Sequence, residues 1–526
     1  MRRFWALMAA SSLAFAIPAV TITSQAVAAP TGDHSAPRAL LVCNGSTSPC
    51  PHGVRHFKTV QAAVNAARSG DWVLIWPGVY HEKSAKWPTA GVWIQKPHIH
   101  IRGLNRNKVI IDGSNGSARH PCPSSPKLQD YNHGIGRDGV VVWTANGVTI
   151  QNLTVCDYLS GKGGHGNEIW WNGGDGSGKI GLRGYRGSYL TATSMYHPSN
   201  IHAPNLPQYG IFVSNSSRGA ITRSYASNMA DAAYYVGACQ RVCDARLAFD
   251  RGSNSALGYS GTNAGGRLVI RNSVFDHNRT GLAPNSLNND DSPPPQDGRC
   301  PNSQTASCLI IEHNLITHNN NANVPTSGLQ PAVGTGIEIS GGSYDTIRDN
   351  RIADQGAWGI VVHDYPDFET PPPLSHCQGG VQVSKALCVF PAVGNLVYLN
   401  AFARVGFFGN ATNSDLATTG LLAPANPRNC FFGNRAHAGK LTSAPKNIQA
   451  ATVDGKPCGK PGTSPVNKLI QQLVCATGAQ GLPITCPKGS HYPKQTKIVI
   501  APLPKLRTMP RPCVGVPTNG FCAARR

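Results

Sequence analysis

The sequence predicts an all-β solenoid in which short parallel strands stack coil upon coil. Two recurring phrases carry this reading. In the first, a polar residue returns five positions after an anchor, eight times over. The anchors are Asn152, Arg223, Arg246, Asn272, His313, Asp349, Asn395 and Asn429. The fifth residues on are Asp157, Asn228, Arg251, His277, His318, Asp354, Asn400 and Asn434. Three after each anchor stands a mostly apolar residue, among them Val155, Phe275, Ile316 and Ile352. The second phrase begins with glycine, in Gly210-Ile-Phe-Val213, Gly336-Ile-Glu-Ile339 and Gly359-Ile-Val-Val362, and opens another strand of each coil. Strands this short cannot bury a face alone, so coils must stack about 4.8 Å apart to close a common core.

The chain divides into four segments. Residues 1–28 read as a secretory signal: Arg2-Arg3, an apolar run from Trp5 to Val20, and a small-residue site at Ala26-Val27-Ala28. Residues 29–55 form a lead-in. Residues 56–439 hold the solenoid, roughly ten coils, with gaps such as Asn152 to Arg223 absorbing loops on one face. Residues 440–526 form a basic Cys/Pro-rich tail that wraps the solenoid or covers its last coil. At the solenoid's entrance Val60, Ala63, Val64 and Ala67 follow helical spacing, and Gly70 is placed to end that helix. Trp72-Val-Leu-Ile-Trp76 is then a buried strand, and Pro77-Gly78 turns the chain.

Here the sequence resembles a known family. A helix, then Gly-Asp, an apolar strand and Pro-Gly-Val-Tyr-His-Glu82 look like the opening of right-handed parallel β-helix proteins. These are the pectin-lyase-like superfamily, including NosD-type repeat proteins. Val92 to Gly103, Val109 to Gly113 and Asn146 to Val155 continue the likeness, which covers most of residues 55–435. The resemblance implies a single-stranded right-handed parallel β-helix and leaves the activity open. The Asp-Phe-x-Phe-Gly and Gly-Arg-Pro-Trp phrases of pectin methylesterases are absent, as are Asn-Thr-Asp of polygalacturonases and Asp-Pro-His of mannuronan epimerases.

Composition narrows the partners. Forty-seven Lys and Arg against 26 Asp and Glu leave a formal charge of +21, which favours polyanions. Export makes nucleic acid an unexpected partner and leaves acidic polysaccharides or cell-wall polymers. Sixteen cysteines suit an oxidising compartment, with Cys43–Cys50, Cys239–Cys243, Cys300–Cys308 and Cys377–Cys388 as local pairs. After the signal, no run of about 20 apolar residues offers a membrane span. A secreted monomer is expected.

The polar column supplies the candidate chemistry. Most of it reads as a turn ladder, since Asn and Asp bond neighbouring backbone in turns. His277 and His318 interrupt that ladder, and with Arg251 and Arg279 they offer bases and cationic groups suited to a uronate lyase. Hydrolase chemistry fits less well, because no two carboxylates are adjacent in the column. Asp354, Asn228, Trp170, Trp171 and His363 are the candidate substrate contacts. No cofactor is assigned. Calcium is the one ion a lyase could recruit, through Asp290-Asp291 or Asp364, Asp367 and Glu369. The leading reading is a carbohydrate-active protein engaging an acidic polysaccharide, with lyase chemistry if it is an enzyme. The rival is a non-catalytic wall-binding or structural protein.

Overall fold

A computed structural model describes residues 36–87, 89–130, 134–174, 179–239, 242–287, 308–327, 331–367, 380–384, 387–420, 429–449, 466–478 and 485–523. The signal segment, Asp290, Asp291, Glu369, Cys300 and Cys377 lie outside the described residues. Arg38–Arg526 form one compact unit.

Three long sheets of 12, 11 and 11 strands run the length of this unit, and every pairing within them is parallel. Sheet 1 extends from Ala39–Val42 to Cys430–Phe432, sheet 2 from Gly78–Tyr80 to Arg435–Ala436, and sheet 3 from Ala90–Ile94 to Ser443–Ala444. The chain visits sheets 1, 2 and 3 in turn and begins again, which is a right-handed parallel β-helix. Pairing starts inside the segment read as a lead-in, at Ala39 against Trp72, and runs past residue 439 by one short strand. Inward rows such as Val73, Ile101 and Ile150 of sheet 1 fill the core.

A helix, α1 (Val60–Ala66), covers the first coils. Thr59 caps it by accepting the Ala62 N–H, while the buried Glu82 carboxylate accepts the N–H groups of Val60 and Gln61. The helix ends at Ala66, before Gly70. The Gly70 φ of +87° serves the following turn instead.

The repeat differs from the column read in the sequence. Sheet 1 passes to sheet 2 through nine two-residue turns, from Asn152-Leu153 through Arg223-Ser224 and Phe249-Asp250 to Gly433-Asn434. The first residue of each has positive φ, and the second points inward. Polar identity is therefore not the mark of the first position, which Tyr189, Phe249 and Leu399 also occupy. Arg246, Asn395 and Arg251 belong to other parts of their coils.

The second positions form a buried ladder. The N–H of Ser224 donates to Asp250, Asp250 to Ser273, Ser273 to Asn314, Asn314 to Asn350, Asn350 to Asn400, and Asn400 to Asn434. A second ladder, between sheets 2 and 3, joins Met229, Ser255, Asn278, Asn319 and Gln355 in the same way. A third, ahead of sheet 1, joins Leu309, Asp345, Asn395 and Asn429. The eight residues of the supposed column thus fall in different places: Asn400 and Asn434 lie in the first ladder, whereas His277, His318 and Asp354 are positive-φ turn residues beside the second.

The glycine-led phrases open the strands of sheet 3. A Cβ on Gly139, Gly281 or Gly336 would stand 2.2–2.5 Å from a carbonyl oxygen of the next coil. Only the missing side chain allows that approach. Glu168 occupies this position in its own coil, fully buried, and desolvation raises its carboxyl well above the ordinary value.

The tail returns along the solenoid. Its helix α2 (Val466–Thr477) packs Leu469, Leu473 and Ala476 on Trp358, Val361 and Ala417 of sheet 3. Residues 485–523 then run back toward the first coils, held by asparagine side chains of the coils they cross. Asn323 accepts from the Thr496 N–H, Asn228 pairs with both backbone groups of Ala501, Asn107 with both of Leu506, and Asn152 accepts from the Met509 N–H. Phe521 finishes against Trp76. Cys43–Cys50 and Cys239–Cys243 pair as expected, and Cys122–Cys156, Cys475–Cys486 and Cys513–Cys522 join them.

Two predictions follow from the ladders. Asn350→Ala removes the acceptor for the Asn314 N–H and the amide that donates to Ile311 O. It should lower unfolding free energy by roughly 2–4 kcal/mol in a denaturant titration, with the coil count unchanged. Burial also raises Asp345 to about 7 and Asp250 to about 8. These carboxyls stay protonated in the fold while the unfolded chain ionises near 4, so their stabilisation is full at low pH and lost as pH rises through 7–8. The melting temperature should fall between pH 5 and pH 8.5. Asp345→Asn, which keeps the acceptor and removes the titration, should flatten that fall.

Candidate functional site

Where sheets 2 and 3 meet, successive coils bring together the histidines singled out in the sequence. The His277 and His318 rings stack at 5.3 Å and 9°. Asp276 touches His277 at 3.1 Å and takes two bonds from Arg251, while Asp354 lies 3.5 Å from His318 and pairs with Arg404. Burial pushes the Asp276 carboxyl up, but Arg251, Ser253 and His277 together outweigh it and hold the group below its ordinary value. The result is a ridge of alternating charge. Its two imidazoles are about half exposed, at 53% and 49%.

The other sequence candidates lie elsewhere. Arg279 leaves the ridge: its guanidinium is buried and donates to the carbonyls of Pro331, Ala476 and Thr477, so it holds the C-terminal end of α2. Burial pushes it down to about 10. Asn228 clamps the returning tail. Trp171 is fully buried in the core with its indole N–H toward Val148 O, and Trp170, its neighbour, faces outward.

The outward face to which Trp170 belongs is organised in two rows. One row of sheet 3 runs Trp93, Val141, Trp170, Phe212 and Tyr235 in strict register. Trp93 stacks between Trp87 and Trp143, Trp170 stacks on Phe212 at 5.1 Å, and Tyr209 on Phe212 at 4.4 Å. Trp93 to Tyr235 spans four rungs, about 19 Å. The second row, two residues further along each strand, includes Trp143, Asn172 and Ser214 and later Thr262, Asn285, Ser340 and His363. Aromatic faces thus run beside a line of hydroxyl, amide and imidazole groups. The longer connections, such as 113–137, 194–208 and 318–334, border sheet 3, whereas the turns from sheet 1 to sheet 2 never exceed two residues after the Asn152 coil. The aromatic and polar rows of sheet 3, termed the groove, therefore lie beside the longer connections, and α2 packs over Val361 and Ala417 near their C-terminal end.

Near that end stands a proton-transfer pair. Glu338 Oε1 lies 3.1 Å from His363 Nε2, Ser340 Oγ is also 3.1 Å from Nε2, and Nδ1 contacts the Asp364 carbonyl at 2.8 Å. Burial alone would push the His363 imidazole down, but Glu338 and Asp364 outweigh it and raise the group. Glu338 Oε2 is buried without a hydrogen-bond partner. His363 was legible as a strand-end histidine; Glu338 was not, because its partner sits one coil and 25 residues away. Among the described residues one cluster has three potential metal ligands, Asp112, Cys122 and Cys156, and its two sulfurs are joined in a disulfide.

No protein-family model and no curated protein matches the sequence. Solved structures do. The A-module of mannuronan C-5 epimerase AlgE4 from Azotobacter vinelandii aligns with 14% identity and a TM-score of 0.44, over 72% of this chain and 90% of that one. Pectate lyase Pel9A aligns with 12% identity and a TM-score of 0.39, over 82% and 89%. An alginate lyase from Paenibacillus sp. str. FPU-7 aligns with 12% identity and a TM-score of 0.35, over 77% and 97%. These are likenesses of fold, and the three parallel sheets establish that fold in their own right.

Proposed function

We propose that the protein is an extracellular polysaccharide-engaging β-helix whose sheet-3 groove holds an extended glycan chain. The observation that carries this is the pairing of rows. Trp143 and Trp170 are the partly open rings available for stacking on pyranose rings, held in place by Trp93 and Phe212 behind them, and Asn172, Ser214, Thr262 and Asn285 offer hydrogen bonds alongside. Five described disulfides suit the exported setting, and among the described residues no helix is long and apolar enough to cross a membrane. Trp170→Ala should weaken binding of neutral and acidic hexasaccharides by about tenfold, measured by calorimetry, with the melting temperature held. Unchanged affinity across the whole panel would remove the groove from the reading.

A catalytic version is favoured by Glu338 and His363, which lie in the same groove. A raised imidazole beside a carboxylate can donate a proton to a leaving oxygen, and the carboxylate can accept one. In this reading His277 and His318, open and already paired, act on the substrate's charge rather than on its bonds. Pectate, alginate and glycosaminoglycans should be incubated with and without calcium, following unsaturated-uronate absorbance and reducing ends. Glu338→Gln and His363→Ala should each lower turnover at least about a hundredfold, while His277→Ala and His318→Ala change it little. The reverse pattern would transfer the chemistry to the ridge. No product from any polymer would leave the groove a binding site.

A further inference from the structure

The groove holds little free positive charge, yet the chain carries +21. Residues 440–526 carry 13 Lys and Arg against one Asp, a net +12 of that excess, and six further arginines stand on or beside sheet 1. Arg186 and Arg246 stand in one row, two rungs apart with Ala220 between them, and Arg271 stands in the adjacent outward row one rung beyond Arg246. Arg223 projects from the turn that follows Thr222, and Arg183 and Arg218 flank the opposite edge. None of these six makes an ion pair with any described residue. The nearest exposed carboxylate on the same strands, Asp244, is taken by Arg267. The side chains between them are Ala220, Thr222, Ala248 and Val269, so the guanidinium groups rise above a low shelf about 14 Å long, three rungs of the sheet.

Aromatic rings lie along one edge of this shelf. Tyr189, Arg223 and Phe249 occupy the positive-φ position of three successive turns, with the Arg223 guanidinium 6.0 Å from the Tyr189 ring and 5.2 Å from the Phe249 ring. Phe249 is 54% exposed. Phe249 stands in left-handed backbone at a solvent-facing turn, packed by Arg223 against its ring and otherwise open, and the hydrophobic effect acts against that exposure. Cationic forks and an open ring face together suit a polymer that carries both flat sugar rings and regularly placed anionic groups. Guanidinium groups pair bidentately with carboxylate or sulfate, and the Phe249 ring offers a stacking face.

We propose that sheet 1 between Arg186 and Arg271 is a second binding surface, specific for acidic polysaccharide and separate from the sheet-3 groove. The solenoid would then engage an anionic polymer on one face and a glycan chain on another. The surface stands on different residues from the groove, so either can fail alone. The test measures binding of the full mature chain to polygalacturonate, heparin, a neutral cello-hexaose and duplex DNA at about 0.05 and 0.3 M salt. Acidic-glycan affinity should fall with salt. In the variant with Arg186→Gln, Arg223→Gln, Arg246→Gln and Arg271→Gln it should drop about tenfold or more, with neutral hexaose binding and the melting temperature unchanged. Phe249→Ala should weaken acidic-glycan binding with its salt slope intact, which separates ring stacking from charge. Wild-type affinity in the quadruple variant, or tighter binding of duplex DNA than of either acidic glycan, would overturn the proposal.

Discussion

Backbone N–H groups at the turns are the constraint on which the molecule depends. From the Asn152 coil onward the chain turns in two residues between sheets 1 and 2, too few for the turn to bond itself, and from Leu190 on its inward N–H finds an acceptor in the next coil. Ser, Asp and Asn side chains at the second turn position supply it, and the asparagines also return a donor to the preceding coil's strand, as Asn350 does to Ile311 O. Because the ladder fixes the turn length, from the Asn152 coil onward the strands of sheet 1 end, and those of sheet 2 begin, at one register. Side chains then fall into straight rows. The aromatic row of sheet 3 and the arginine shelf of sheet 1 both exist because the rows are straight.

The same constraint explains how far the sequence could be read. Strand pattern, coil number, the α1 segment and two disulfides were visible because each leaves a local mark: β-branched runs, Gly-led strands, helical spacing, close cysteines. The turn register was misread because stacking pressure can hold almost any residue in left-handed backbone, at about 1–2 kcal/mol for a non-glycine. Phe249 and Leu399 therefore carry the turn position assigned to the anchors Arg246 and Asn395, while Asn400 and Asn434, read as the polar residues five after their anchors, are the buried ladder residues. Arg279 shows the other limit. It sits two residues from His277, but its contacts are carbonyls of α2 nearly 200 residues later. No spacing rule reaches that far. Trp170 and Trp171 show a subtler one: the pair was visible, and only the pleat decides that one ring faces the groove and the other the core.

The tail completes the fold by the ladder's own chemistry. Asparagine amides can bond a backbone segment as readily as a neighbouring coil, and Asn228 and Asn107 each offer donor and acceptor to one residue of the returning chain. Leu503 adds an apolar contact with Val79, Ile110 and Met195 on the outer face of sheet 2. That face is thereby occupied along its first coils. α2 likewise covers the last coils of sheet 3. The surfaces left open for ligands are those the tail does not use.

Those open surfaces differ for a physical reason rooted in the connections. Sheet 3 borders the edge that accepts the long connections from sheet 2, and it carries the aromatic row and its polar companion. A shared edge with sheet 2, held to two-residue turns, leaves sheet 1 open along that side. Charge is the interaction that still works there, because guanidinium pairs attract across solvent and steer a polyanion before contact. In the proposed reading the six arginines of this open face, one part of the +21, would capture a polyanion on a side separate from the aromatic rows.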